Sequence, residues 1–158
     1  MCYTLLTSKT QGIHMHPSNS KPQQNIEVLV LDKIGLTSKK IKIDNKEFNF
    51  DGFSDEDGKM EIVEIYAGID KLKSAQQQKV SQDLLKMYLY EKLSEKKFNK
   101  RFIVIDQKIY EKLDSERPWK NLAFETLGIT LEYVDIGEDN LEKLRQAKKG
   151  QNLLNQIA

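Results

Sequence analysis

Residues 39–68 read KKIKIDNKEFNFDGFSDEDGKMEIVEIYAG, and this stretch decides the fold class. Ile41-Lys42-Ile43 and Phe48-Asn49-Phe50 each alternate apolar with polar, as a strand with one buried face does. Asn45-Lys46 supplies the turn between them. Asp57-Gly58 is a two-residue hairpin signal, because glycine reaches positive φ without steric penalty. Lys59 to Ala67 alternates again, with Ile62, Val63 and Ile65 as its apolar members. The pattern predicts a three-stranded antiparallel meander.

The turns set the pairing. Asp57-Gly58 places Glu56 opposite Lys59 and Asp51 opposite Glu64. Asn45-Lys46 places Ile43 opposite Phe48 and Ile41 opposite Phe50. Those four, with Val63 and Ile65, are expected to form one apolar face; Lys40, Lys42, Asn49, Asp51, Glu64 and Tyr66 take the other. Facing side chains have Cβ atoms roughly 4.5–5.5 Å apart, so two facing carboxylates destabilise a bare sheet. A divalent cation would compensate, since hard cations take carboxylate oxygens. The alternative is an ordinary wet sheet face that Lys40 and Lys42 neutralise.

Outward from the meander, Ser20 to Leu36 reads as a helix. Ile26, Leu29, Val30 and Ile34 keep helical spacing, Ser20 can cap the start, Pro22 suits the first turn and Gly35 the end. A buried strand over Val28 to Leu31 is the rival. Ser74 to Leu93 is a long amphipathic helix with Val80, Leu84, Met87 and Leu85 as inward residues. Arg101 to Asp106 is a short buried strand. Helices over Gln107 to Leu113 and Trp119 to Leu127, a strand from Ile129 to Asp135 and a helix from Asp139 to Asn155 complete the chain. Alternating helices and strands in this half predict parallel crossover pairing.

The chain has 158 residues, 39% hydrophobic and 31% charged, with formal net charge +1. One domain is the default at ~100–200 residues. The charge balance gives no global electrostatic case for nucleic acid, so any such case is local. Cys2 is the sole cysteine, which excludes an internal disulfide and a cysteine-based zinc site. The longest apolar run at the core, Val28 to Leu31, is far short of the ~18 residues of a membrane span. Met1 to Leu6 lacks the basic start and long apolar stretch of a cleavable signal, so a cytoplasmic protein without a membrane partner is expected. Residues 1–20 read as a loosely ordered tail, which carries His14 and His16, and residues 21–158 as a single domain.

Phe50-Asp51-Gly52, then Ile62-Val63-Glu64-Ile65-Tyr66-Ala67, then a Lys/Gln-rich helix start, resembles the PD-(D/E)xK nuclease superfamily. The resemblance covers about 80 residues, from Pro22 to Arg101. It implies an α/β, restriction-endonuclease-like fold of helix, three-stranded antiparallel meander, helix and strand, here extended by a further helix, strand and helix. It also implies a divalent-metal-dependent nuclease acting on DNA, with Asp51 and Glu64 as ligands of Mg2+ or Mn2+. In the family a lysine two positions after the glutamate helps activate water; here that place is Tyr66. No proline precedes Asp51, where Phe50 stands.

Tyrosine is uncharged near neutral pH and cannot replace a lysine electrostatically. Some family members carry the lysine on the following helix, which makes Lys79 the first candidate and Lys71 the second, with Lys73 also in reach. Gln76, Lys79, Asp83 and Lys86 recur at intervals of three and four and so share one helix face. The alternative for that face is a solvated Lys–Asp pair. Glu27, on the first helix, stands where some members place a supporting acid. A catalytically silent nuclease-like fold serving as a binding or assembly module is the second functional reading, favoured by Tyr66 and the near-zero charge.

Asp55, Asp57, Gly58 and Glu64 echo a calcium loop, but Gly58 as its sixth position makes Phe53 the first, which has no ligand oxygen. No glycine-rich phosphate loop or nucleophile elbow is present. Trp119 reads as a core anchor at a helix start. Lys92, Lys96, Lys97, Lys100 and Arg101, and separately Lys143, Arg145, Lys148 and Lys149, form local basic patches that read best as dipole compensation and solvated faces. The chain is small and lacks a recognition domain, so a homodimer or a partner subunit is expected.

Overall fold

The computed structural model describes residues 20–115 and 119–157. The tail with His14 and His16, and Arg117-Pro118, lie outside the described residues, as does the side chain of Trp119. In chain order the elements are α1 (Lys21–Ile34), β1 (Thr37–Ile43), β2 (Lys46–Glu56), β3 (Lys59–Tyr66), α2 (Ser74–Ser94), β4 (Asn99–Val104), α3 (Gln107–Asp114), α4 (Trp119–Leu127), β5 (Ile129–Tyr133) and α5 (Glu138–Ile157). The fold is mixed α/β.

The first segment is the expected helix. The Ser20 N–H donates to Gln23 Oε1 at 2.9 Å, Pro22 stands in the first turn, and Gly35 closes the helix at φ 67°. The five strands form one open sheet in sequence order. β1–β2–β3 is the antiparallel meander; β4 and β5 add in parallel through the helical crossovers. Both sheet faces are covered. Phe48, Phe50, Phe53, Ile62, Tyr66 and Phe102 pack with Val80, Leu84, Met87 and Tyr90 of α2, Ile109 and Leu113 of α3 and Phe124 of α4. Val63, Ile65, Ile103 and Ile105 pack on the other side with Ile26, Val30 and Leu31 of α1 and Leu144 of α5.

Three expectations are corrected. The β1–β2 turn is Asp44-Asn45, at φ 48° and 63°, and not Asn45-Lys46; Ile41 therefore faces Phe48 and Ile43 faces Lys46. Two consecutive left-handed residues make the tight turn whose twist suits the flanking strands, and Asn and Asp tolerate that conformation best among residues with a Cβ. Secondly, the apolar grouping of Phe48 and Phe50 with Val63 and Ile65 is wrong. Thr37 faces Phe53 and Lys39 faces Phe50, so Asp51 and Gly52 together stand against the single Ser38. This β-bulge puts both Phe50 and Phe53 on the α2 side, with Glu64 and Tyr66 rather than opposite them. Both rings meet Tyr90 edge-on, at 5.2 and 5.6 Å between centroids. Thirdly, Leu85 is 52% exposed, while Asp83 and Glu91 are among the residues α2 buries.

Candidate functional site

Pairing between β2 and β3 runs from Glu56–Lys59 to Gly52–Val63 and stops there. The next step would bring Asp51 opposite Glu64. Each strand keeps its outer neighbour past this point, β3 with β4 as far as Tyr66 and β2 with β1 back to Lys46. The sheet thus opens into a fork at the two carboxylates, and the β2 bulge lies at its mouth. Gly52 holds the fork's inner corner: a Cβ there would lie 2.9 Å from Leu31 Cδ2 and 3.2 Å from Val63 Cβ. Asp51 Oδ2 accepts a hydrogen bond from the Ile65 N–H at 2.8 Å and so satisfies a β3 donor where the ladder has ended.

Glu64 is 1% exposed on the α2 side of the sheet. Burial, and next the negative charge of Asp51, push its carboxyl well above the usual range; Lys86 acts against them. Lys86 Nζ lies 2.6 Å from Glu64 Oε1 and 3.4 Å from Asp83 Oδ1. The Lys86 ammonium is thus the charged partner of this buried Glu64 oxygen, and its charge and hydrogen bond work against the burial of Glu64. Lys79 Nζ lies 3.3 Å from Asp83 Oδ2. Burial works against the charge on Lys79 and Lys86, but neighbouring carboxylates, Asp51 and Glu64 among them, outweigh it and raise both ammonium groups.

The helix face carrying Lys79, Asp83 and Lys86 therefore does turn onto the sheet beside Asp51 and Glu64. Lys79 meets Asp83, and Lys86 is the lysine in ion contact with Glu64. Gln76 serves the start of α2, where its Oε1 accepts from the Lys73 N–H at 2.8 Å. Lys71 and Lys73 are exposed ahead of the helix. Glu27 is buried on α1, a helix that packs on the opposite sheet face. Tyr66 follows Glu64 on the same side of β3, but its hydroxyl is buried without a hydrogen-bond partner; burial, then the charge of Asp106, push it up to about 12.

No family model matches the chain, and neither does any curated protein or solved structure.

The basic patches are neutralised in part. Lys100 is buried against Glu91, Arg101 spans Glu61 and Glu132, Arg145 meets Glu138 and Glu142, and Lys148 lies 3.7 Å from Asp70. Among the described residues, no helix is long and apolar enough to cross a membrane, and no group of three His, Cys, Asp or Glu side chains is placed to hold a metal. Any ion at the fork would have two carboxylate residues, Asp51 and Glu64, with solvent or substrate oxygens completing its shell. Glu64 fits that donor set, because its buried carboxylate already takes a cation, the Lys86 ammonium, at one oxygen.

Proposed function

We propose that the chain is a divalent-metal-dependent nuclease that hydrolyses phosphodiester bonds in DNA, on a restriction-endonuclease-like domain. The observation that carries this reading is the fork: Asp51 in a bulge, and Glu64 buried beside it with its charge met by the Lys86 ammonium. The resemblance supplies DNA as the substrate. Asp51 and Glu64 would hold Mg2+ or Mn2+, which would supply Lewis-acid chemistry to water and the scissile phosphate. Asp51 is fixed for this by the Ile65 N–H. Lys79 and Lys86 bring positive charge toward an incoming phosphate, and Asp83 anchors both ammonium groups.

The test is incubation of the full chain with Mg2+ or Mn2+ and supercoiled, linear or single-stranded DNA. Cleavage is expected from the wild type and not from Asp51→Asn or Glu64→Gln. Intact substrates in every wild-type reaction would sink this reading. They would leave the second one, a catalytically silent binding or assembly module, which the uncharged Tyr66 after Glu64 favours.

A further inference from the structure

We infer that Lys86 is a built-in stand-in for the metal: its ammonium holds the cation position at Glu64 and must leave before a divalent ion can enter. This rests on the reading of Asp51 and Glu64 as metal ligands. The Lys86 ammonium is 2.6 Å from Glu64 Oε1 and supplies the positive charge that this buried carboxylate needs. A cation bound at Glu64 Oε1 would need that same space. Lys86 also has somewhere to go. Asp83 Oδ1 is already 3.4 Å from its Nζ, and the other Asp83 oxygen is engaged by Lys79 at 3.3 Å. Lys86 is 23% exposed and Glu64 1%, so the lysine can withdraw outward while the glutamate stays.

Charge bookkeeping gives the exchange a consequence. Asp51, Glu64 and Asp83 against Lys79 and Lys86 sum to one negative charge when all are ionised. A divalent ion turns that into one positive charge, matched to a single phosphodiester. Without metal the site repels the backbone it would cleave, and Lys86 offsets only part of its negative charge. Metal entry and phosphate binding are thereby coupled through one side chain.

The experiment is Mn2+ binding to the full chain by calorimetry, for the wild type, Lys86→Met and Lys79→Met. Removing either lysine weakens the general repulsion of a cation, but only Lys86 occupies its place. Lys86→Met is expected to bind Mn2+ about tenfold or more tighter than wild type, against less than about threefold for Lys79→Met. Equal gains in the two variants, or weaker binding in Lys86→Met, would overturn the exchange while leaving the metal site itself intact. Absence of Mn2+ binding in all three would remove the metal site and the exchange together. A second readout needs no variant: the Lys86 ammonium resonance in nitrogen-15 spectra of the wild type should move in step with Mg2+ saturation. Saturable Mg2+ binding with that resonance unmoved refutes the exchange.

Discussion

The Asp51 carboxylate accepts the Ile65 N–H at 2.8 Å, and it does so one step beyond the last β2–β3 backbone pair. A candidate metal ligand is thus also a piece of sheet structure. Removing the acceptor leaves a β3 donor in a poorly hydrated corner, at a cost of about 1–3 kcal/mol. Asp51→Ala should lose that much in urea unfolding. Asp51→Asn keeps an acceptor oxygen and should lose less than about 1 kcal/mol. Both should lose any rise in melting temperature that Mg2+ or Mn2+ gives the wild type. An Asp51→Ala variant as stable as wild type would mean that the hydrogen bond carries no weight.

Gly52 shapes the same fork from the other side. A methyl there would meet Leu31 Cδ2 at 2.9 Å, Val63 Cβ at 3.2 Å and Leu36 Cβ at 3.4 Å. The leucine can turn, but Val63 is fixed by the sheet. Gly52→Ala should therefore destabilise by about 1–3 kcal/mol, as overpacking does. It should also displace Asp51 and weaken metal-dependent stabilisation. Unchanged unfolding and unchanged metal response would show that the corner has room to spare.

Much of this architecture is written locally in the sequence. Ser20, Pro22 and Gly35 mark α1, and Asp57-Gly58 fixes the β2–β3 register because glycine at φ 81° leaves little choice. The two parts that escape are cooperative. The Asp44-Asn45 turn uses two residues with side chains at positive φ, which an alternation pattern does not separate from Asn45-Lys46. The bulge brings Phe50 and Phe53 together onto Tyr90, a contact made across some forty residues of chain. At the site, the spacing of Lys79, Asp83 and Lys86 reveals a shared helix face. Which lysine meets Glu64 depends on how α2 lies over the sheet, and no spacing encodes that.

Glu91 and Lys100 form a buried pair at the far end of α2, 5% and 4% exposed. Glu91 also accepts the Phe98 N–H at 2.9 Å. Burial alone would raise the Glu91 carboxyl, but the Lys100 and Phe98 hydrogen bonds and the charges of Lys100 and Lys97 hold it below the usual range. A folded value below the unfolded one means that the pair's stability is present above the unfolded value, roughly 4.3. It is lost as pH falls through the folded value. Glu91→Gln leaves the Lys100 ammonium buried without its counter-charge and should cost about 3–5 kcal/mol near neutral pH. That difference should shrink in acid. A gap between the two proteins that is the same at pH 7 and pH 3 would show that the charge on Glu91 contributes nothing.

Tyr66 offers the sharpest separation of stability from function. Its ring is packed in the core under Gly68, where an added Cβ would come within 2.4 Å of the ring and the hydroxyl. The hydroxyl itself has no hydrogen-bond partner, and burial followed by the charge of Asp106 keeps it protonated up to about 12. A buried hydroxyl without a partner costs free energy that a phenyl ring of the same shape does not. Tyr66→Phe should therefore be as stable as wild type or more stable, by up to about 2 kcal/mol, in urea unfolding at neutral pH. Because the charges at the fork come from Asp51, Glu64, Asp83, Lys79 and Lys86, the same variant should bind Mn2+ with wild-type affinity. Destabilisation of Tyr66→Phe by more than about 1 kcal/mol would mean that the hydroxyl is satisfied in solution, through a bridging water or through Asp106. A loss of Mn2+ affinity with stability unchanged would instead bring Tyr66 into the site, where its position two residues after Glu64 would have it act in place of a charged side chain.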